Sequence, residues 1–209
     1  MSTKTLYEAF QHQVHSRPDA TALLLDSPHN TACQCSWHAL SIVVNRVAGR
    51  IANQLPLDST VRRCITHLNE NRDADLVIAL ASLALDITEA PLDGRIESAE
   101  LQRRRNCIGG VWIDNQFKQQ VTSELFELAD EPATAESSRL TLQSTDQPRP
   151  FNDLQYPAEA ASLILWTSGT TSEPLAVLLS AESLLMNAAA KLKAVPQEPT
   201  DIRLTVLPL

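Results

Sequence analysis

Between residues 61 and 114 the chain changes apolar period again and again, from the alternation of an extended strand to the 3.6-residue repeat of a helix, and this limits the folds open to it. "VRRCITHL" (61–68), "DITEAPLD" (86–93), with Pro91 ending it, and "GVWID" (110–114) read as strands. They are separated by a helix over 74–85, apolar nearly all round, and by a second helix near 97–106. Strands spaced by a helix cannot be joined as tight hairpins; a crossover of that length returns the chain to a parallel neighbour. The expected class is therefore α/β, with layered, mainly parallel sheets and flanking helices.

The flanking segments extend this pattern. Thr5-Leu-Tyr-Glu8 has the form of a capping box ahead of a helix over 6–16, which Arg17-Pro18-Asp19 closes. "ATALLLD" (20–26) and "TACQCS" (31–36) read as extended pieces, the second ending in Ser36 as an N-cap. In 37–55 the residues Leu40, Val43, Val44, Val47, Ile51 and Leu55 recur on one helical face, with Asn45, Arg46, Arg50 and Asn53 opposite. A further helix is expected near 119–129. From Glu131 to Ala160 Pro, Ser, Thr, Glu and Gln dominate and apolar periodicity is lost, as in a loop or linker. Order returns with a strand at 162–167, an extended piece at 176–180, a helix from Ala181 to about Lys193 capped by Ser180, and a last strand at "IRLTVLPL" (202–209). The division expected is an N-terminal α/β subdomain over 1–130, a linker over 131–160 and a further segment from 161 to 209.

Charge and cysteine usage narrow the function classes. Seventeen Lys and Arg against 25 Asp and Glu give a net charge of −8, which supplies no broad cationic face for a nucleic-acid backbone. Arg103-Arg104-Arg105 is the local exception and, with no aromatics interleaved, reads as the solvated end of a helix. The longest apolar run, "LVIALASLAL" from Leu76 to Leu85, is about half of a bilayer span and is closed by Asp86, so no membrane partner is expected. "MSTKTLYEAF" has no signal-like apolar core, and the four cysteines lack a Cys-x-x-Cys pair; reduced thiols in a cytoplasmic location are expected. His29, Cys33, Cys35 and His38 crowd together, but Cys-x-Cys is a poor zinc spacing, and no metal site is assigned.

The chemistry-bearing stretch is "LILWTSGTTSEPLAVLLSAE" (163–182), where Thr167, Ser168, Gly169, Thr170, Thr171 and Ser172 follow a strand directly. Such a loop leaves backbone N–H groups unpaired beside hydroxyls, an arrangement suited to phosphate oxygens. An ordinary Ser/Thr turn, with the hydroxyls serving the local backbone, accounts for the same spacing equally well. The Walker pattern G-x-x-x-x-G-K-[ST] is absent.

"WTSGTTSEPLAV" resembles the signature loop of the AMP-forming adenylating enzymes, [YF]-T-S-G-[ST]-T-G-x-P-K-G-V. "PDATAL", "SWHALSIVVNRVAGRIANQL", "APLDGRIESAEL" and the closing "VLPL" are similar to other segments of that family and occur in its order. The resemblance implies the N-terminal part of the adenylate-forming fold, incomplete here, with 161–209 as the start of its ATP-binding segment. It implies that Thr167 to Ser172 hold the β- and γ-phosphates of ATP, with magnesium, while a small carboxylic acid attacks the α-phosphorus. A thiol, commonly CoA, then takes the acyl group. The opening helix and "VLPL" lean toward a stand-alone acid–CoA ligase of the o-succinylbenzoate type. Where the family has Gly, Lys and Gly this chain has Ser172, Leu175 and Ala176, and Leu175 removes a cation from the pyrophosphate. The family's magnesium-coordinating Glu, ribose-binding Asp and C-terminal Lys match nothing up to Leu209, so no catalytic residue is assigned. Independent catalysis is not expected of the chain as it stands. A non-catalytic remnant or interaction module derived from the family is the alternative, and the uncovered apolar strand "LTVLPL" is expected to favour self-association.

Overall fold

A computed structural model describes residues 5–25, 33–56, 63–130, 162–167, 173–198 and 201. The expected linker over 131–160, most of the hydroxyl-rich loop and the last strand lie outside the described residues.

The first helix, α1 (Leu6–Ser16), starts with the expected capping box: the Glu8 N–H donates to Thr5 Oγ1 at 3.0 Å, and Thr5 N–H to Glu8 Oε2 at 3.2 Å. Strands β1 (Thr21–Leu25) and β2 (Cys33–Ser36) pair antiparallel as a small separate sheet. Ser36 then caps α2 (Trp37–Gln54) by accepting the Ala39 N–H. The α2 apolar stripe is buried along its length, and Val43, Val44, Val47 and Ile51 are fully enclosed. Each contributes roughly 1.5–3 kcal/mol.

The second sheet carries β3 (Cys64–Asn69), β4 (Thr88–Asp93), β5 (Val111–Ile113), β6 (Leu163–Trp166) and β7 (Ala176–Leu179) in the order β5-β3-β4-β6-β7. The first four are parallel; β7 returns antiparallel to β6 at the edge. The helices that join them are α3 (Asp73–Ala84), α4 (Ser98–Ile108) and α5 (Asn115–Asp130), followed after β7 by α6 (Ala181–Ala194). The step from β3 to β4 and the step back from β4 to β5 run in opposite directions. With one crossover hand they place α3 and α4 on opposite faces. α2, α3 and α5 pack together on one face over Ile65 and Ile113, with Val77, Ile78, Ala81, Val121 and Leu125 closing the core. No residue of α3 is exposed, as its all-round apolar character requires.

Two expectations shift. Pro91 does not end β4: the strand runs on to Asp93, with Pro91 in register with His67. The Thr88 N–H points to β3, where it donates to Arg63 O, and the Glu89 N–H points the other way, to Ser162 O. Alternation then directs the missing donor of Pro91 toward β6, which registers with β4 at Glu89↔Leu163 alone. The helix expected near 119 begins at Asn115 because Asp114 caps it, its carboxylate accepting the Phe117 N–H at 2.8 Å.

The turn between α4 and β5 needs glycine. Gly109 ends α4 at φ 70, and Gly110 at φ 85 has no room for a side chain, since an added Cβ would overlap the Cys64 carbonyl. At the other edge of the sheet, among the described residues, Leu175, Val177 and Leu178 are exposed, as are Met186 and Leu192 on α6.

Candidate functional site

The hydroxyl-rich loop leaves the carboxyl end of β6, beside the carboxyl end of β4, the edge where open α/β sheets bind ligands. Of the six expected site residues, Thr167 is described; Ser168, Gly169, Thr170, Thr171 and Ser172 lie outside the described residues. Thr167 closes the mouth of the β6–β7 hairpin. Its N–H donates to Leu175 O at 3.0 Å, and its Oγ1 accepts the Leu175 N–H at 3.0 Å. That hydroxyl is left with its proton to donate. Leu175 is thus fixed directly across from Thr167, and its side chain is 65% exposed.

The arginine run is where the reading from sequence needs correction. Arg103 is solvated, as expected, but Arg104 is not. Arg104 has a side chain 9% exposed, and its Nε donates to Glu100 Oε1 at 2.6 Å. Its guanidinium lies 4.9 Å from the centre of the Trp166 ring, and that of Arg103 lies 5.7 Å from it. Arg105 stacks on Trp112 at 4.3 Å. The missing aromatics are supplied from β5 and β6, distant in sequence. Glu100 also accepts from Arg103, at 2.6 and 2.8 Å, and the two guanidiniums hold its carboxyl down at about 2. Arg103 further feels the charge of Glu173, on the far side of the loop. Among the described residues, Trp166 Nε1 is buried without a hydrogen-bond partner.

A second polar group, which the sequence reading did not single out, joins His67 in β3 and Glu89 near the start of β4 to α3 and α5. His67, fully buried on β3, has Nε2 2.9 Å from Glu89 Oε1 and Nδ1 3.5 Å from Asp75 Oδ1. Lys118, reaching in from α5, pairs with Asp75 Oδ1 at 2.6 Å and donates to Leu68 O at 2.6 Å. Asp75 Oδ2 accepts the Glu70 and Arg72 N–H groups at the start of α3. Burial alone would push His67 toward the neutral form. The hydrogen bonds and charges of Asp75 and Glu89 outweigh it and raise His67 to about 9. Burial likewise opposes the Asp75 charge, but the bonds from His67, the Arg72 N–H and Lys118 hold its carboxyl well below the ordinary range. Two cations and two anions balance. The signal available in the sequence was His67 and Glu89, ionisable residues in the interior of two strands.

Elsewhere the cysteines stay as free thiols, with Cys35 pushed up to about 11 by burial; Cys33 and Cys35 are part of β2, while His29 lies outside the described residues. A cavity of about 180 Å³ opens at the carboxyl end of β5, lined by Gln54, Trp112, Asp114, Gln116 and Gln120. Among the described residues no helix is long and apolar enough to cross a membrane.

Sheet order, crossovers and the loop at the end of β6 define a layered, parallel-rich α/β domain of the adenylate-forming type. The family profile of AMP-binding enzymes matches residues 10–209, and the chain belongs to that family. In solved structures it is similar to o-succinylbenzoate CoA synthetase from Bacillus subtilis in complex with the acyl-adenylate intermediate (15% identity, TM-score 0.65, 98% of this chain and 50% of that one). It is also similar to the inhibitor-bound N-terminal domain of FACL13 from Mycobacterium tuberculosis (18%, 0.70, 98% and 51%). ATP-bound MatB from Rhodopseudomonas palustris is a third (16%, 0.61, 92% and 38%). The chain spans about half the length of the first of these structures. No curated protein matches it in sequence.

Proposed function

We propose that the chain is the phosphate-binding N-terminal half of an ATP-dependent acid–thiol ligase. The observation that carries this is the hydroxyl-rich segment Thr167–Ser172, leaving the carboxyl end of a parallel strand in a chain that matches AMP-binding enzymes from residue 10 to residue 209. In this reading the loop amides and hydroxyls hold the triphosphate while a carboxylate oxygen bonds to the α-phosphorus and pyrophosphate leaves. Residues 1–130 are the supporting subdomain, 131–160 the connection and 161–209 the start of the nucleotide segment. Similarity to the Bacillus synthetase supports a small carboxylic acid as substrate and CoA as acceptor, and the reduced-thiol composition supports a cytoplasmic setting.

In the described part of the site Thr167 retains a hydroxyl proton, which this reading gives to a phosphate oxygen of ATP. Magnesium finds no ligand set there: among the described residues no three His, Cys, Asp or Glu side chains converge as metal ligands. The resemblance places that carboxylate in the half of the fold that this chain's match does not cover. A second reading, a non-catalytic module, is favoured by Leu175, an exposed leucine at the position of the family's lysine. Self-association through the C-terminal strand "LTVLPL" belongs with it.

Pyrophosphate exchange into ATP, run over a panel of carboxylic acids, separates the two. Exchange above a loop-deleted control supports the ligase; none, together with MgATP binding by calorimetry that Thr170→Ala and Thr171→Ala weaken, supports a binding module. A chain that shows neither loses the nucleotide reading altogether.

A further inference from the structure

The His67 ring meets an acceptor at each nitrogen. Nε2 faces Glu89 Oε1 at 2.9 Å, while Nδ1 faces Leu68 O at 3.1 Å and Asp75 Oδ1 at 3.5 Å. A neutral imidazole carries hydrogen on one nitrogen and a lone pair on the other, so only the doubly protonated ring satisfies both sides. Among the described residues the charged groups around the ring are Glu89 from β4, Asp75 from α3 and Lys118 from α5, with Glu70 3.8 Å from Lys118.

The Nδ1 side of the ring leads to the turn between β3 and α3. Asp75 gives its second oxygen to that turn, where Oδ2 accepts the Glu70 N–H at 2.9 Å and the Arg72 N–H at 3.0 Å. Between them Asn71 sits at φ 56, its N–H donating to Asn69 Oδ1 at 3.0 Å. A residue other than glycine stays in this region where its surroundings hold it there. The turn follows the carboxyl end of β3, between those of β5 and β4, on the edge where open α/β sheets bind ligands.

We propose that His67 is a proton-operated latch on this turn, closed while both ring nitrogens carry hydrogen and open when one hydrogen is lost. The hydrogen that stays is the one on Nε2, because Glu89 Oε1 is the nearest acceptor, and Asp75 and Leu68 O both keep Lys118. The Nδ1 lone pair then points at two oxygens, and repulsion drives Asp75 from the ring. With Asp75 moves the acceptor of the Glu70 and Arg72 N–H groups, and Asn71 loses the frame that keeps it at positive φ. Burial works against the charged ring, but the bonds and charges of Asp75 and Glu89 outweigh it and raise His67 to about 9, so the latch operates on the alkaline side of neutrality. The device stands apart from the nucleotide reading and survives its failure.

Heteronuclear magnetic resonance of the full chain, followed from neutral to alkaline pH, tests it. The φ-dependent coupling of Asn71 is expected to change with the midpoint of the His67 ring, and the neutral ring to carry its hydrogen on Nε2. Glu89→Gln separates the latch from a general loss of stability. Its carboxamide can donate to Nε2, which lets the neutral ring keep hydrogen on Nδ1, so His67 still titrates while Asn71 no longer responds. An Asn71 coupling that stays constant while wild-type His67 titrates overturns the latch, as does a neutral wild-type ring with its hydrogen on Nδ1. A Glu89→Gln chain that responds as the wild type does, or a wild-type ring that remains doubly protonated well above 9, refutes it equally. Should Glu89→Gln fail to fold, the wild-type tautomer and the Asn71 coupling decide the matter alone.

Discussion

Replacing Lys118 by Met keeps the length of the stem and removes its charge from a site where little else can take its place. Asp75 is 3% exposed and pairs with Lys118 at 2.6 Å. Removing one member of a buried pair costs about 3–5 kcal/mol, because the other charge stays desolvated. Asp75 keeps two backbone N–H donors and His67, so the loss belongs near the lower end, about 3 kcal/mol. Leu68 O loses its bond to Lys118 as well. For a chain of this size about 3 kcal/mol corresponds to a fall in Tm of roughly 6–12 °C. Urea unfolding followed by circular dichroism measures it, with the m value unchanged if the native fold is retained. Asp75→Asn in the Lys118→Met background should add much less than Asp75→Asn alone, the signature of direct coupling. A Lys118→Met loss below about 1 kcal/mol, or strict additivity of the two substitutions, would refute the balanced-tetrad account.

The remaining predictions concern the same fold. His67 is raised in the folded chain from its ordinary 6.5 to about 9, so its contribution is fully present below pH 6.5 and is lost as pH rises through about 9; urea midpoints should fall across that window, and His67→Gln should flatten the fall. Asp75 acts in the opposite sense, its contribution being present above about pH 4 and lost in acid. Gly110→Ala should cost about 2–4 kcal/mol through positive φ and overlap with the Cys64 carbonyl, read as a lower Tm, whereas Gly49→Ala, with open space around it, should raise Tm slightly. Thr167→Val should remove the hydroxyl that holds the hairpin mouth and cost about 1 kcal/mol, seen as faster amide exchange at Leu175.

The local elements were legible because their signals are local. Thr5, Ser36 and Ser180 cap the helices that follow them, and the stripe from Leu40 to Ile51 faces the core as its spacing requires. The parallel class followed from helices too long to be turns. Pro91 was misread because its cost depends on what lies on each side of β4, which is set by a strand more than 70 residues away. The arginine run was misread for a similar reason: charge beside charge suggests solvent, and only the sheet brings Trp166 and Trp112 beneath it. The tetrad of His67, Asp75, Glu89 and Lys118 joins three elements and a neighbouring strand, and no sequence window contains it.

The β6–β7 ribbon meets the rest of its sheet through one register pair, Glu89↔Leu163, with a proline two steps further along β4. Glu89 therefore serves two structures at once: its N–H joins the ribbon through Ser162 O, and its carboxylate bonds the His67 imidazole. A change of that side chain alone takes a partner from the imidazole and leaves the backbone joint to β6 in place.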